Sequence, residues 1–374
     1  MNIAIQAADL DASRIDGTRV YISELLRRFG SIGSEHQWHL YHRQAFNPEL
    51  APPNFSNYTV HEAGALFYWT QTRFAYEMFK LRPDRLWMPV QALPFVLPQG
   101  VKTTVTIHDL AFKYFPDHFA RKDLRRLNLF ADFAIHKADR LIAVSEATKR
   151  DILTFYPKIN EEKIRVIHHG FSIRTRESGN GERGSEDVFS RLSIPGSMDK
   201  KYILYVGALQ PRKNLGLLLD AFAQVKECHP EIGLVLAGEK AWMWEKTLEK
   251  IERHPCRKDI FLIGKVSFED LAELYKKARM FVFPSLYEGF GIPVLEAQAS
   301  GVPVICANNS SLPEVGGDAA LYFDAQDVSA LAGNIEKLWT DGALCQEFIR
   351  KGYKNIQKFS WDTCAQETLK WIVG

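Results

Sequence analysis

Short runs of consecutive apolar residues recur along this chain, and most are separated by segments whose apolar residues repeat every three to four positions. The alternation is cleanest after Lys201. KYILYVG opens it, and NLGLLLDAFAQVKEC follows with Leu215, Leu218, Leu219 and Phe222 on one helical face. IGLVLAG, DIFLIG, MFVFP and VPVIC continue the series. Strands that are apolar at every position are buried on both faces, which predicts a parallel sheet covered by helices, a doubly wound α/β domain. The first half repeats the pattern less regularly. MNIAIQA, WHLYH, YTVHE, RLWMPV, VKTTVTI, RLIAV and KIRVIH read as strands, and segments near 19–29, 71–81, 119–137 and 146–156 read as helices. Two such Rossmann-like domains predict a cleft where the carboxyl ends of both sheets face each other.

The boundaries follow from composition. Residues 1–172 form a first domain and 200–357 a second, while 173–199, rich in Gly, Ser, Arg and Glu, reads as a linker or mobile surface loop. Inside it Gly179, Gly181 and Gly184 match GxGxxG, but no strand precedes them and no helix opens after them, so the match is coincidental. Asp9-Leu10-Asp11 has the form of a metal-binding DxD, yet it sits directly after the first strand and reads as a turn. The tail 358–374, FSWDTCAQETLKWIVG from Phe359 on, is a helix with Trp361, Cys364, Leu369 and Ile372 available for burial.

The 374 residues suit two domains, and 46% hydrophobic with 25% charged residues is an ordinary globular composition. No apolar run approaches the length needed to cross a bilayer, and the N-terminus lacks the basic segment of a signal peptide. Five scattered cysteines without a CxxC pair argue against disulfides or a zinc site and for a reducing, cytoplasmic compartment. Residues 1–172 hold 22 Lys+Arg against 18 Asp+Glu, an excess of +4 within a chain of net +2. That is too sparse for a nucleic-acid footprint, but it suits an anionic surface or acceptor.

The densest chemical signal is FPSLYEGFGIPVLEAQASGVPVI, residues 283–305. A strand ends at Pro284, a glycine-flanked loop follows, and Pro293 suits the first turn of a helix. Gly289 and Gly291 let the backbone approach a ligand closely. Unpaired N–H groups at the helix start, with Phe290 and Ile292 beside them, favour a phosphate. Glu288 before this turn and Glu296 inside the helix are two carboxylates flanking a phosphate cradle, a set suited to a nucleotide sugar. Arg212 and Lys213 follow the strand YILYV, where two adjacent cations neutralise a diphosphate without a metal. His108 closes the strand VKTTVTI and points toward the cleft. His168 and His169 precede Gly170 at a later strand end, with a hinge role and a ligand role both open.

Glu288 and Glu296 in YEGFGIPVLEA, followed by SGVPV, form an E-x7-E motif, and the chain closely resembles the GT-4 family of retaining glycosyltransferases with the two-domain GT-B fold. VGALQPRKNLGLLLDAF, GKVSFEDLAELYKKA, SLPEVGGDAALYFD, DGTRVYISELL, VTIHDLAF and VSEATKRDI extend the likeness over nearly the whole chain. The resemblance implies that the N-terminal domain is the acceptor side, that the C-terminal helix crosses back to it, and that 200–357 binds the nucleotide-sugar donor. It implies donor contacts from Gly17, Arg212, Lys213, Val266, Gly289, Phe290, Gly291, Ile292 and Glu296, with Glu288 and His108 as catalytic residues at the hexose. Glu288 is expected at the transferred hexose and Glu296 at the ribose. Many relatives carry an Arg directly after the glycine of VGA, where this chain has Ala208.

The expected reaction is metal-independent, retaining transfer of a hexosyl unit from a nucleotide sugar of the UDP-glucose or GDP-mannose type. No cofactor beyond that substrate is expected. The acceptor is a saccharide or polyprenyl-linked saccharide in cell-surface polysaccharide synthesis. A sugar-nucleotide epimerase, a phosphorylase and a non-catalytic nucleotide-sugar-binding module are the alternatives. LFYWTQTRFAYEMFKLRPDR and ARKDLRRLN interleave aromatic and basic residues. They are either core aromatics with a solvated charged face or a peripheral contact at the inner face of a membrane.

Overall fold

The computed structural model describes residues 1–64, 67–173 and 187–374. The glycines of the GxGxxG match lie outside these described residues. The chain divides into one unit of Met1–Gly170 with Phe359–Gly374 and a second of Phe171–Lys358.

In the first unit β1 (Asn2–Gln6), β2 (Gln37–His42), β3 (Tyr58–Glu62), β4 (Arg85–Met88), β5 (Lys102–Ile107), β6 (Arg140–Ala143) and β7 (Ile164–Val166) form one sheet. Its order is β3-β2-β1-β4-β5-β6-β7, with every pairing parallel. The apolar runs explain the burial: Ile3, Ala4, Ile5, Leu86, Trp87, Val105, Ile107, Leu141 and Ile142 have no solvent exposure. The helix Gly17–Ile32 starts at Asp16, whose carboxylate accepts from the Arg19 N–H, an N-cap that satisfies one of the free donors of the first turn.

The terminal helix Trp361–Val373 belongs to this unit. Arg28 Nε donates to Asp362 at 2.5 Å, Arg85 binds the carbonyls of Ile372 and Val373, and Trp371 Nε1 donates to the Leu141 carbonyl. Arg85 thus caps the helix at its C-terminal end, where its carbonyls lack intrahelical partners. Gly170 lies against the start of this helix. A Cβ there would sit 2.1 Å from the Trp361 nitrogen, so His168-His169-Gly170 is a packed junction in which only glycine fits.

The second unit repeats the winding. β8 (Tyr202–Val206), β9 (Gly233–Ala237), β10 (Ile260–Gly264), β11 (Met280–Phe283), β12 (Val304–Ala307) and β13 (Ala320–Phe323) are parallel in the order β10-β9-β8-β11-β12-β13. Leu215, Leu218, Leu219 and Phe222 of the helix Leu215–Cys228 are buried as the periodicity predicts. Each such side chain stabilises the fold by about 1.5–3 kcal/mol.

Two features depart from the sequence reading. β13 is not among the strands read from the sequence: ALYF is an apolar run of only four residues at the sheet edge, half-buried, and so short a run is equally compatible with a helical segment. Part of the expected linker 173–199 is built into the second unit. Val188, Phe189 and Ile194 are buried, Phe189 meets the Tyr202 ring at 6.0 Å, and Arg191 pairs with Asp270. Apolar side chains spaced among polar ones anchor this stretch despite its linker-like composition.

Candidate active site

In each sheet the strand order reverses next to the first strand of the unit, and loops leaving adjacent strands there diverge to leave room for a ligand. In the second unit the reversal lies between β8 and β11. β8 leads to Arg212 and Lys213, and β11 leads to Glu288 and the glycine turn, so the fold joins residues about 75 positions apart.

The two loops are tied by backbone and side-chain bonds. The Leu286 N–H donates to the Arg212 carbonyl at 2.9 Å. Asn214, in the left-handed region at φ 56°, donates through Nδ2 to the carbonyls of Pro284 (3.2 Å) and Ala325 (2.8 Å). Asparagine tolerates that backbone better than most residues and here fixes the turn carrying both cations. On the other side, the Glu288 N–H donates to Ser310 Oγ at 2.9 Å. Ser311 Oγ lies within hydrogen-bonding reach of the Glu288 and Phe290 carbonyls. Asn214, Ser310 and Ser311 were not singled out in the sequence. The only local signal was an Asn directly after the RK pair.

Lys213 Nζ lies 2.5 Å from Glu288 Oε1, and Arg212 Nη1 lies 3.2 Å from Oε2 while also donating to the Tyr287 carbonyl. All three side chains are nearly buried. Burial opposes ionisation of Glu288, but Lys213 and then Arg212 outweigh it and hold the carboxyl below its ordinary range. Two cations sharing one carboxylate leave the cluster with a net positive charge, which favours an anion.

Gly291 precedes the helix Ile292–Ala299 with φ 108°, in the left-handed region, and a Cβ there would lie 3.0 Å from Leu312 Cδ2. Glycine is therefore required where the chain turns from β11 into the helix. Pro293 stands in the first helical turn. Four residues into this helix, Glu296 Oε2 accepts from the Tyr275 hydroxyl at 3.1 Å. Burial pushes its carboxyl up to about 7, with the Tyr275 bond offsetting only part of the rise. The two glutamates thus sit in opposite electrostatic environments eight residues apart. Tyr275 comes from the helix Phe268–Lys277, which follows the half-buried Val266 after β10.

Gly17 and His108 belong to the first unit. Gly17 is the exposed first residue of its helix, after the Asp16 cap. His108 follows β5, and its Nε2 lies 2.8 Å from the Pro89 carbonyl beyond β4. A carbonyl only accepts, so Nε2 carries the proton and the neutral ring keeps a lone pair on Nδ1. Burial lowers its pKa, the Pro89 carbonyl and nearby Asp109, Asp16 and Asp9 counteracting in part. Tyr21 meets His108 edge-on at 5.1 Å and stacks on His169 at 4.6 Å, with Trp361 beyond at 5.7 Å from His169. His169 is thereby a packed aromatic of this junction. Asp9-Leu10-Asp11 lies in a 3-10 turn, where Asp11 is buried and accepts from the backbone N–H groups of Arg43 and Gln44.

Comparison with known proteins agrees with this architecture. Residues 15–174 match the family model "Glycosyltransferase Family 4" and residues 191–355 the model "Glycosyl transferases group 1". The O-antigen chain mannosyltransferase B of Escherichia coli is 30% identical over 277 residues, covering 74% of this chain and 71% of that protein. Among solved structures, WaaG, a glycosyltransferase involved in lipopolysaccharide biosynthesis, superposes with a TM-score of 0.76 at 15% identity over 100% of both chains. Anabaena HepE, solved in complex with UDP and glucose, gives 0.73 at 18% identity over 98% of both chains. The fold is that of the GT-B glycosyltransferases. The chain belongs to glycosyltransferase family 4.

Proposed function

We propose that this glycosyltransferase moves a hexosyl unit from a nucleotide sugar to a saccharide or polyprenyl-linked saccharide, with retention at the anomeric carbon and without a metal. The observation that carries the reading is the buried Arg212–Lys213–Glu288 cluster beside the Gly291 turn. In this reading the donor diphosphate enters the positive cluster and draws Lys213 and Arg212 onto its oxygens. Glu288 is then released toward the hexose hydroxyls. As the bond from the anomeric carbon to the phosphate oxygen breaks, the two cations and the amides of residues 289–292 stabilise the charge left on the diphosphate. The acceptor hydroxyl adds to the anomeric carbon on the same face, and its proton passes to the departing phosphate oxygen. Glu296 holds the ribose hydroxyls, Val266 lines the base, Gly17 approaches the donor, and His108 accepts from a sugar hydroxyl through Nδ1.

A mannosyltransferase relative favours a GDP-mannose type of donor and the UDP complex of a structural neighbour a UDP-glucose type. Both the O-antigen relative and WaaG favour cell-surface polysaccharide synthesis.

The test is a screen of nucleotide sugars for protection against thermal unfolding, since a ligand at 100 times its dissociation constant adds about 2.7 kcal/mol. Hits are then incubated with acceptor oligosaccharides and the product anomer is read by NMR. Transfer with the donor's anomeric configuration is expected. Inversion would remove the retaining assignment. Consumption of inorganic phosphate, or interconversion of the donor without transfer, would replace transfer with phosphorylase or epimerase chemistry. Binding without turnover would leave a nucleotide-sugar-binding module.

A further inference from the structure

Tyr275 stands against the Glu296 carboxyl, and its surroundings leave it little freedom. The side chain comes from the helix Phe268–Lys277, is 1% exposed, and its ring tilts against that of Phe281 on β11 at 5.6 Å. Its hydroxyl reaches two atoms of the helix Ile292–Ala299: the Pro293 carbonyl at 3.4 Å and Glu296 Oε2 at 3.1 Å. Pro293 and Glu296 are three residues apart and share one helical face, so a single hydroxyl spans both.

Hydrogen-bond roles give this arrangement a use beyond packing. A phenol hydroxyl both donates and accepts, a backbone carbonyl only accepts, and a carboxyl accepts when ionised but carries a donor when protonated. With Glu296 ionised, the Tyr275 hydroxyl donates to Oε2. With Glu296 protonated, the carboxyl O–H donates to the Tyr275 oxygen, and the Tyr275 hydroxyl donates to the Pro293 carbonyl instead. Tyr275 therefore gives the carboxyl a partner in both states, where an unpartnered one would be costly. Only the ionised state offers both carboxyl oxygens as acceptors, which a pair of ribose hydroxyls requires. Glu296 is partly exposed, and its Oε1 makes no bond among the described residues, so that oxygen is left for a ligand.

The charged neighbours are engaged elsewhere. On the helix of Tyr275, Asp270 pairs with Arg191, Glu273 with Lys276, and Lys277 with Asp187 and Asp199. Among the elements packed on Ile292–Ala299, the helix Gly342–Asn355 contributes Lys351, paired with Glu347, and the turn after it Lys358, bound to Asn355 Oδ1. Cys306 of β12 is a thiol that burial pushes up and keeps neutral. Burial, and after it the Tyr275 bond, are what act on the Glu296 carboxyl among the described residues.

We propose that Tyr275 is a positioning residue for the nucleotide-sugar donor. By moving its hydroxyl between Pro293 and Glu296 it keeps the carboxyl oriented toward the ribose and sets the pH at which that carboxyl accepts the ribose hydroxyls. The proposal rests on the reading above that places the ribose at Glu296.

The test is calorimetric titration of the full chain with GDP-mannose and with UDP-glucose from pH 6 to pH 9. Wild type, Tyr275→Phe, Glu296→Gln and the double variant are compared. Tyr275→Phe keeps the ring and removes a charge-assisted hydrogen bond from the ionised carboxyl, which favours the protonated form. The midpoint of donor binding should rise by about one pH unit, lowering affinity about fivefold at pH 7 and leaving it nearly unchanged at pH 9. In the Glu296→Gln background, Tyr275→Phe should shift no midpoint, because no titrating carboxyl is left. A wild-type slope whose midpoint is the same in Tyr275→Phe overturns the proposal and leaves Glu296 at the ribose. So does an equal loss of affinity at every pH, which would make Tyr275 part of the packing alone. A flat wild-type profile, or no binding of either donor, overturns the proposal together with the ribose assignment.

Discussion

The two units share one winding order, with β7 added at the edge of the first, and each reverses direction beside its first strand. What fills the reversal differs. In the second unit the loops bring two cations, a carboxylate and a left-handed glycine into a nearly buried cluster. In the first, the chain leaving β1 carries Asp9, Asp11 and Asp16, and a cluster of rings packs nearby in the same unit: Tyr21 on His169, His108 edge-on to Tyr21, and Trp361 of the terminal helix beyond. Identical topology therefore does not fix the chemistry. The second unit gathers opposite charges from two loops into one buried cluster, whereas the first is held by ring packing, with His108 among the rings and Asp109, Asp16 and Asp9 near it.

The largest effect expected from this contrast is on the packed side. Trp361→Ala should cost about 3–5 kcal/mol of stability in urea unfolding, as for other buried tryptophans, while nucleoside diphosphate affinity of the folded protein is retained. A loss below 1 kcal/mol would show that the rings are not holding the first unit together.

On the charged side, Glu288→Gln should lower turnover about 10²–10³-fold. Because Glu288 competes for Lys213 and Arg212, the same variant should bind free nucleoside diphosphate more tightly than the wild type. Calorimetry showing weaker binding would mean that the carboxylate supports the anion site rather than occupying it. Lys213→Ala should weaken diphosphate binding by about 1.5–3 kcal/mol, the range for a charge-assisted hydrogen bond. Unchanged affinity would place the phosphates elsewhere.

The pH dependence sharpens the separation of the two glutamates. Glu296 has a folded pKa of about 7, above its ordinary value, so the folded state holds its proton between the usual carboxylate range and pH 7. The stability this contributes is complete below the unfolded pKa and is lost as pH rises through about 7. Ribose hydroxyls need a carboxylate acceptor, so donor affinity should run the other way. It should fall about tenfold between pH 8 and pH 6, and the slope should vanish in Glu296→Gln. An intact nucleotide sugar is the right probe, since its diphosphate does not titrate in that range. A flat profile in the wild type would remove Glu296 from the ribose. The smallest effect is expected from chelation: turnover should survive EDTA, and loss restored by manganese would overturn metal independence.

Much of this was legible in the sequence for a local reason. Apolar runs of four to seven residues, separated by segments with helical periodicity, specify buried parallel strands and their covering helices without reference to anything distant. The eight-residue spacing of Glu288 and Glu296 across a glycine turn and a helix start is also local, so both carboxylates and the turn could be named together. What only the tertiary structure decided depends on residues far apart in the chain. The pairing of Glu288 with Arg212 and Lys213 exists because β8 and β11 are neighbours at the reversal, and strand order is not written in any one segment. Whether Glu296 titrates near 7 depends on burial beside Tyr275 from another helix. β13 is not legible because a run of four apolar residues does not by itself distinguish a strand from a helical segment, and only pairing with β12 makes it one. The aromatics from Phe67 to Phe79 divide between core and surface according to which side the sheet covers. Periodicity reports which face of an element is apolar; only the assembled layers determine which of those faces is covered.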